Sequence, residues 1–466
     1  MNTIFKYTAL CVAAAAAAVV SSCSAVKECR EPELNLPERI AGVEADSLTI
    51  ADTAWWEFYG DENLSRIIER TLANNRQIQA AAARVEQARQ LYRVAKAERL
   101  PNFTASAPFN LETNDYYGEK SIFDPELGLK ASVRWELDFW GNLRWAKRRS
   151  GAEYMATVED ERAMRMTLVA EVATAYFRLV ALDNELDIVQ RTVITRGEGV
   201  QLAKLRFEGG LTDETPYRQA QVELASSSAL IPNLEQNIAA TKNVLALLMG
   251  EYPDIEIERD SQLYDSTIPE KLPVGLPSEL LTRRPDVRAS EQRLQSAMAA
   301  VGVAYADRFP RMIIDLTGGV ENNDFKGLLR SPFSYIAETL TAPIFGFGRK
   351  KARYKAAVAA YDEARLKYEQ KVLEVFREAD DAVTYYRSVR SAAALKSKLL
   401  DAARRYDDLT HRQHYGGNIR YIDVLDAQRR YLEAQIGLNN AIRDEHLALV
   451  RLYKVLGGGW QTKDEN

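Results

Sequence analysis

Polar and apolar residues alternate in four short stretches of the chain, and elsewhere apolar residues recur at helical spacing. Phe103, Ala105, Ala107, Phe109 and Leu111 alternate with Thr104, Ser106, Pro108, Asn110 and Glu112. Leu129, Ala131, Val133, Trp135, Leu137 and Phe139 alternate with Lys130, Ser132, Arg134, Glu136 and Asp138. A period of two puts the apolar side chains on one face of a strand. Ile314, Leu316 and Val320 against Asp315, Thr317 and Glu321 predict a third strand. Phe333 to Ile344 predict a fourth, in which Glu338 shares a face with Ile336 and Leu340. The expected strands cover about 102–112, 128–139, 311–321 and 333–344. Each is about ten residues, the length a tilted strand needs to cross a bilayer with an apolar outside and a polar inside. The polar segments 113–128 and 322–332 suit exposed loops.

Helical patterning flanks both strand pairs. Arg349 to Tyr415 contain neither Gly nor Pro, and a helix of that length rises about 100 Å. The first half has a matching arm, without Pro from Glu126 to Thr215. Tyr368, Val372, Val375, Ala379, Ala382, Tyr386, Val389 and Ala393 keep spacings of four and three, which is a coiled-coil seam. Paired glycines, Gly209-Gly210 and Gly416-Gly417, break both arms, because Gly takes the left-handed turn a helix end needs. Return helices run to Met249-Gly250 and Leu456-Gly457. Shorter helices, Asp61 to Ala97 and from Ser278 onward, lead into the strands and stop before Pro101 and Pro310. The order helix, strand, strand, helix thus occurs twice, so the chain reads as an internal duplication. The expected fold is mixed and mainly α: long helical hairpins plus four membrane strands per chain.

Four strands leave two open edges, and in hydrocarbon each stranded N–H or C=O costs several kcal/mol. Such a sheet must close with other copies. A barrel with a water-filled lumen needs more than about eight strands, so three chains and twelve strands are the expected count. The same copies would set their long helices side by side as a hollow α-barrel.

Residues 1–22 have the layout of an export signal: Lys6, an apolar stretch from Ala9 to Val20, then small residues. The end, Val20-Ser21-Ser22-Cys23, resembles a bacterial lipobox, which would make Cys23 the lipidated first residue. Cys29 is then the remaining thiol; a Cys23–Cys29 bridge in an ordinary secreted protein is the alternative. No later apolar run is long enough for a membrane helix. A net charge of −5, from 61 basic against 66 acidic residues, carries no nucleic-acid signature. No nucleophile stands with a base at motif spacing, no nucleotide fingerprint occurs, and neither a cofactor nor a metal site is expected. His411 and His414 read as exposed helix histidines. Trp135, Trp140, Trp145 and Phe345 read as an aromatic belt at a membrane interface.

Several stretches then resemble a known family. Trp55 with Leu72-Ala73-Asn74-Asn75, Arg283-Arg284-Pro285-Asp286-Val287-Arg288, Asp423-Val424-Leu425-Asp426-Ala427-Gln428-Arg429 and Leu456-Gly457-Gly458-Gly459-Trp460 resemble the TolC-like outer membrane factors. The resemblance is specifically to the lipoprotein branch that serves RND-type drug efflux systems, and it spans roughly 55–460. It implies a homotrimer in the Gram-negative outer membrane with a periplasmic helical tunnel. The partners would be a periplasmic adaptor and an inner membrane transporter, and the cargo small molecules such as drugs. It also implies a closed aperture at the helix turns. Gly209, Gly210, Asp213, Glu214, His414, Gly416, Gly417 and Arg420 would then lie in tip loops, while Ile422, Asp423, Asp426 and Arg429 match aperture positions. His414 falls where relatives often carry Tyr. Pro216 replaces a partner carboxylate of some relatives, and Ile419 an Arg.

Like carboxylates in a narrow ring raise one another's pKa or bind cations, and Arg429, one turn from Asp426, offsets that charge. The expected layout is a signal at 1–22, a lipidated leader at 23–60, one repeat at 61–250 with its tip near 209–213, and a linker at 251–277. A second repeat at 278–460, with its tip near 416–420, and a polar tail at 461–466 complete it. The function expected is the exit duct of a tripartite efflux pump, opened by adaptor docking. Alternatives are a periplasmic coiled-coil adaptor or scaffold lipoprotein, and an exit duct for type I protein secretion.

Overall fold

The computed structural model describes residues 27, 29–37, 39–42, 49–114, 122–259, 275, 277–341 and 346–460. The signal, Cys23, most of the 251–277 linker, Phe345 and the 461–466 tail lie outside the described residues. The chain divides into two compact units. The first takes the residues up to Leu34, Ala83–Val158 and Arg288–Lys371; the second takes Asn35–Ala82, Glu159–Val287 and the residues from Val372.

The helices are α1 (Trp55–Tyr59), α2 (Glu62–Asn74), α3 (Arg76–Ala97), α4 (Asn142–Glu208), α5 (Thr215–Ser228), α6 (Leu230–Leu248), α7 (Pro277–Arg283), α8 (Pro285–Ala306), α9 (Arg349–Tyr415) and α10 (Tyr421–Val455). The strands are β1 (Asn102–Ser106), β2 (Phe109–Asn114), β3 (Ile122–Leu137), β4 (Arg311–Asn322) and β5 (Pro332–Thr341). The helices α3 and α8 have 22 residues each, and α4 and α9 have 67 each.

The first unit holds one antiparallel sheet in the order β1-β3-β4-β5, with β2 also pairing β3. The single strand expected near 102–112 is two, because Pro108 has no N–H for the ladder; both pieces still pair β3. The loop expected at 113–128 is shorter, since β3 begins at Ile122. There Pro125 lies beyond Leu127↔Asn322, the last pair with β4, where β3 has one neighbour and needs fewer donors.

Register separates the two faces. Phe103, Val133, Leu316 and Ile336 form one row across the sheet, and Phe103 and Ile336 are 75% and 76% exposed. On the opposite face Arg134 pairs Asp315 at 2.9 Å and Lys130 pairs Glu321 at 2.7 Å. The Ser132 and Thr317 hydroxyls meet at 2.8 Å. Glu338, opposite Ile314, interrupts the apolar face as the alternation indicated.

Trp145 is no belt residue. It is buried against Ala299, and a Cβ at Gly302 would come within 2.3 Å of its ring. Trp140 stacks on Phe309 at 4.6 Å and donates its indole N–H to the Pro310 carbonyl. Trp135 is the exposed one of the three.

In the second unit the expected helix from Asp61 divides at Asn75. The Asn75 carboxamide oxygen accepts from the N–H groups of Gln77 and Ile78, and its amide donates to the Leu248 carbonyl at 2.7 Å. Asn75 therefore caps α3 and ties it to the end of α6. The counterpart break, between α7 and α8, falls at Arg284-Pro285. In the α9 seam Val372, Val375, Ala379, Ala382, Tyr386 and Ala393 are buried and Val389 is half-buried. The leader is tied down as well: the Ala41 N–H donates to Asp380 at 2.7 Å, and Arg387 donates to the Ala41 carbonyl.

Arg284 is 4% exposed. It holds Asp286 with two bonds of 2.9 and 2.7 Å and Glu378 at 2.8 Å, and it donates to the Val455 carbonyl at the end of α10. Removing one partner of a buried pair leaves the others uncompensated, at about 3–5 kcal/mol. Arg284→Ala should therefore lower the thermal midpoint followed by circular dichroism in detergent. Arg284→Lys should restore little, because an ammonium cannot make the bidentate fork. An unchanged midpoint in Arg284→Ala would contradict this assignment.

Candidate functional site at the helix turns

The two long helices end in the same way. The Gly210 N–H donates to the Phe207 carbonyl and the Leu211 N–H to Arg206; the Gly417 N–H donates to His414 and the Asn418 N–H to Gln413, all at 2.9–3.0 Å. Gly210 and Gly417 have φ of +70° and +76°, the left-handed position of a Schellman end. Gly209 and Gly416 precede them without positive φ. Asp213 accepts the Thr215 N–H at 2.9 Å, and Glu214 pairs Arg218 at 2.7 Å. Pro216 lies in the first turn of α5, where its missing N–H breaks no helix bond.

Asp423 accepts the backbone N–H of Arg420 at 3.1 Å and so fixes the start of α10. Asp426 accepts from Arg430 at 2.8 Å and Arg429 at 3.5 Å. Arg429 also lies 3.6 Å from Glu223, and Glu223 lies 3.2 Å from Arg196. The aperture candidates Asp426 and Arg429 thus extend a line of alternating charge running from α4 through α5 to α10. Arg196 is buried and also donates to the Glu223 carbonyl at 2.8 Å and to Ser227. Burial pushes its pKa down, and Glu223 opposes that shift.

Sequence reasoning missed Arg196 and Glu223. The available signal was a departure from the repeat: 207 residues beyond Arg196 stands the buried Ala403.

Nearby, a cavity of about 690 Å³ is lined by residues that include Arg206, Asp213, His411, His414, Arg420 and Ile422. The two histidines, expected to be exposed, are half-buried. His414 Nδ1 lies 3.1 Å from the Ile419 carbonyl and Nε2 lies 3.2 Å from Arg206. His411 Nε2 lies 3.1 Å from the Gln428 amide and 3.6 Å from Asp407. Burial raises the Asp407 pKa, with His411 opposing. Val200, Ala203 and Ala220 form the adjoining core with Tyr217, Leu224 and Tyr421. Gly199 makes room for Tyr421: a Cβ there would lie 3.3 Å from the Tyr421 hydroxyl. Burial raises the Tyr421 pKa, with Arg206 opposing. Among the described residues no group of His, Cys, Asp and Glu could hold a metal, and no helix is long and apolar enough to cross a membrane.

Residues 67–251 and 276–458 match the profile of the outer membrane efflux protein family. The chain is 31% identical over 412 residues to the solvent efflux pump outer membrane protein SrpC of Pseudomonas putida, with 87% of each covered. It is 28% identical over 453 residues to the probable outer membrane lipoprotein SilC of Salmonella typhimurium, covering 95% of this chain and 97% of that one. Among solved structures, the outer-membrane channel OprN matches with a TM-score of 0.85 at 27% identity, over 93% of this chain and all of that one.

Glu223 joins two arginines across three helices, so its removal leaves Arg196 buried with its charge unpaired. Glu223→Ala should cost about 3 kcal/mol, and adding Arg196→Met should return most of it. Chemical unfolding of the parent, both single variants and the double variant checks this. Additive losses would show that the pair is not coupled.

Proposed function

The chain belongs to the outer membrane efflux protein family, and on that premise we propose that three copies build a lipid-anchored exit duct gated at its helix turns. The protein is an outer membrane efflux channel component and not an enzyme.

One observation carries the copy number: a narrow sheet with an apolar face, an ion-paired face and two free edges. Among the described residues β1 and β2 at one edge and β5 at the other have no further strand. Their edge groups need partners inside a bilayer, and copies of the same sheet supply them, twelve strand positions in all. A scaffold lipoprotein would have no use for such a sheet. The ion-paired face, with Arg134–Asp315 and Lys130–Glu321, suits a wet lumen, and the row from Phe103 to Ile336 suits lipid.

The anchor reading rests on the Val20-Ser21-Ser22-Cys23 segment and on the likeness to SilC. The duplication reading is supported by the equal lengths of α3 and α8 and of α4 and α9. For the gate, Asp423 and Asp426 stand near the turns, each neutralised locally by Arg420 or by Arg429 and Arg430. Around a symmetry axis these carboxylates would crowd one another, and their arginines would hold the closed arrangement. Docking of a periplasmic adaptor, itself coupled to an inner membrane transporter, would replace these contacts and open the passage to small molecules.

Planar-bilayer conductance tests the reading. The purified parent should insert and conduct weakly, and Asp426→Ala should conduct several-fold more, since the loss of a charge-assisted contact changes a population by about tenfold or more. Conductance of Asp426→Ala indistinguishable from the parent would remove Asp426 from the gate. A chain that never conducts would favour the scaffold reading.

A further inference from the structure

We propose that His414 is a proton-operated latch joining the two helix turns of one chain through the end of α4 and the turn between α9 and α10. Each neighbour of the ring can play one hydrogen-bonding role. A carbonyl only accepts, so the 3.1 Å contact to Ile419 puts a proton on Nδ1 of His414. A guanidinium only donates, so the 3.2 Å contact to Arg206 needs a bare Nε2. Both contacts are satisfied together only by the neutral ring in the Nδ1–H form. Protonation of Nε2 would set N–H against N–H and one cation against another, and the contact would be lost.

From α4 the facing charge is Arg206. From α10 Tyr421 faces the ring, with centroids 5.5 Å apart, and from α9 Tyr415 lies at 6.4 Å. Arg420, at the cap of α10, shares the cavity wall and adds a second positive charge. Glu198 and Asp213 also line the cavity, and Asp213 is engaged with the Thr215 N–H. One turn back on α9, His411 Nε2 has the Gln428 amide nitrogen at 3.1 Å and Asp407 at 3.6 Å, an amide donor and a carboxylate competing for one ring nitrogen.

The direction follows. The contact requires a bare Nε2, so it is present with the neutral ring and lost when acid protonates that nitrogen. Loss frees the Arg206 end of α4 from the turn carrying Ile419. That this would open a passage rests on the exit-duct reading; the latch itself does not.

Amide hydrogen exchange on the full chain in detergent tests the latch without ion flow, so its outcome is separable from the conductance result. Peptides covering 205–216 and 412–421 are compared at about pH 8 and about pH 5.5, after correction for intrinsic exchange. The parent should lose protection by about tenfold at the lower pH, the scale of one lost charge-assisted bond. His414→Gln, whose amide oxygen accepts from Arg206 and does not titrate in this range, should hold the higher protection at both pH values. Arg206→Ala should show the lower protection at both. Far-ultraviolet circular dichroism of all three should match. Equal protection of the parent at both pH values would overturn the proposal, as would a His414→Gln variant that follows the parent.

Discussion

The need of every backbone amide and carbonyl for a partner governs the sheet. A sheet with one apolar face belongs in an apolar medium, and in that medium an open edge is worth several kcal/mol per stranded group. Among the described residues β3 and β4 are paired on both sides while β1, β2 and β5 are paired on one, so the sheet is open at both edges. The opposite face makes the same point chemically. Lys130, Arg134, Asp315 and Glu321 are paired across strands, which suits contact with water and would be wasteful against lipid.

At the helix turns the governing interaction is electrostatic. Arg196, Glu223, Arg429, Asp426 and Arg430 alternate in sign across three helices, and only Arg196 is deeply buried. Its burial makes Glu223 necessary, while the exposed end of the line is weakly held and easily exchanged for other contacts. The line is thus firm where Arg196 is buried between α4 and α5 and soft at its exposed end, Asp426 and Arg430. The same grading holds around the cavity, where Gly199 admits Tyr421 closely and the turn residues beyond it are exposed.

Much of this was legible in the residues. Strand alternation placed the sheet and its faces, including the anomaly at Glu338. The paired glycines placed both turns, and the family resemblance drawn from the Arg283 to Arg288 and Asp423 to Arg429 stretches is borne out by the family match. What escaped has physical reasons. Pro108 divides a strand without disturbing its alternation, so periodicity did not register the break. The first residues of β3 hide behind Pro125 and its acidic neighbours, which look like loop. Trp145 is buried because Gly302 lets a helix approach, a tertiary event that no local pattern contains. Arg196 and Glu223 are partners 27 residues apart in sequence, joined only after the hairpin folds. His411 and His414 read as surface residues because nothing local announces the cavity they line.

The account depends most on identical chains sharing one barrel. Native mass spectrometry of the complex released from a single mild detergent measures that directly. The account predicts a species of three times the mature chain's mass that stays assembled until the sheet is unfolded. A folded, single-chain species as the only form, stable over a wide range of concentrations, would contradict it.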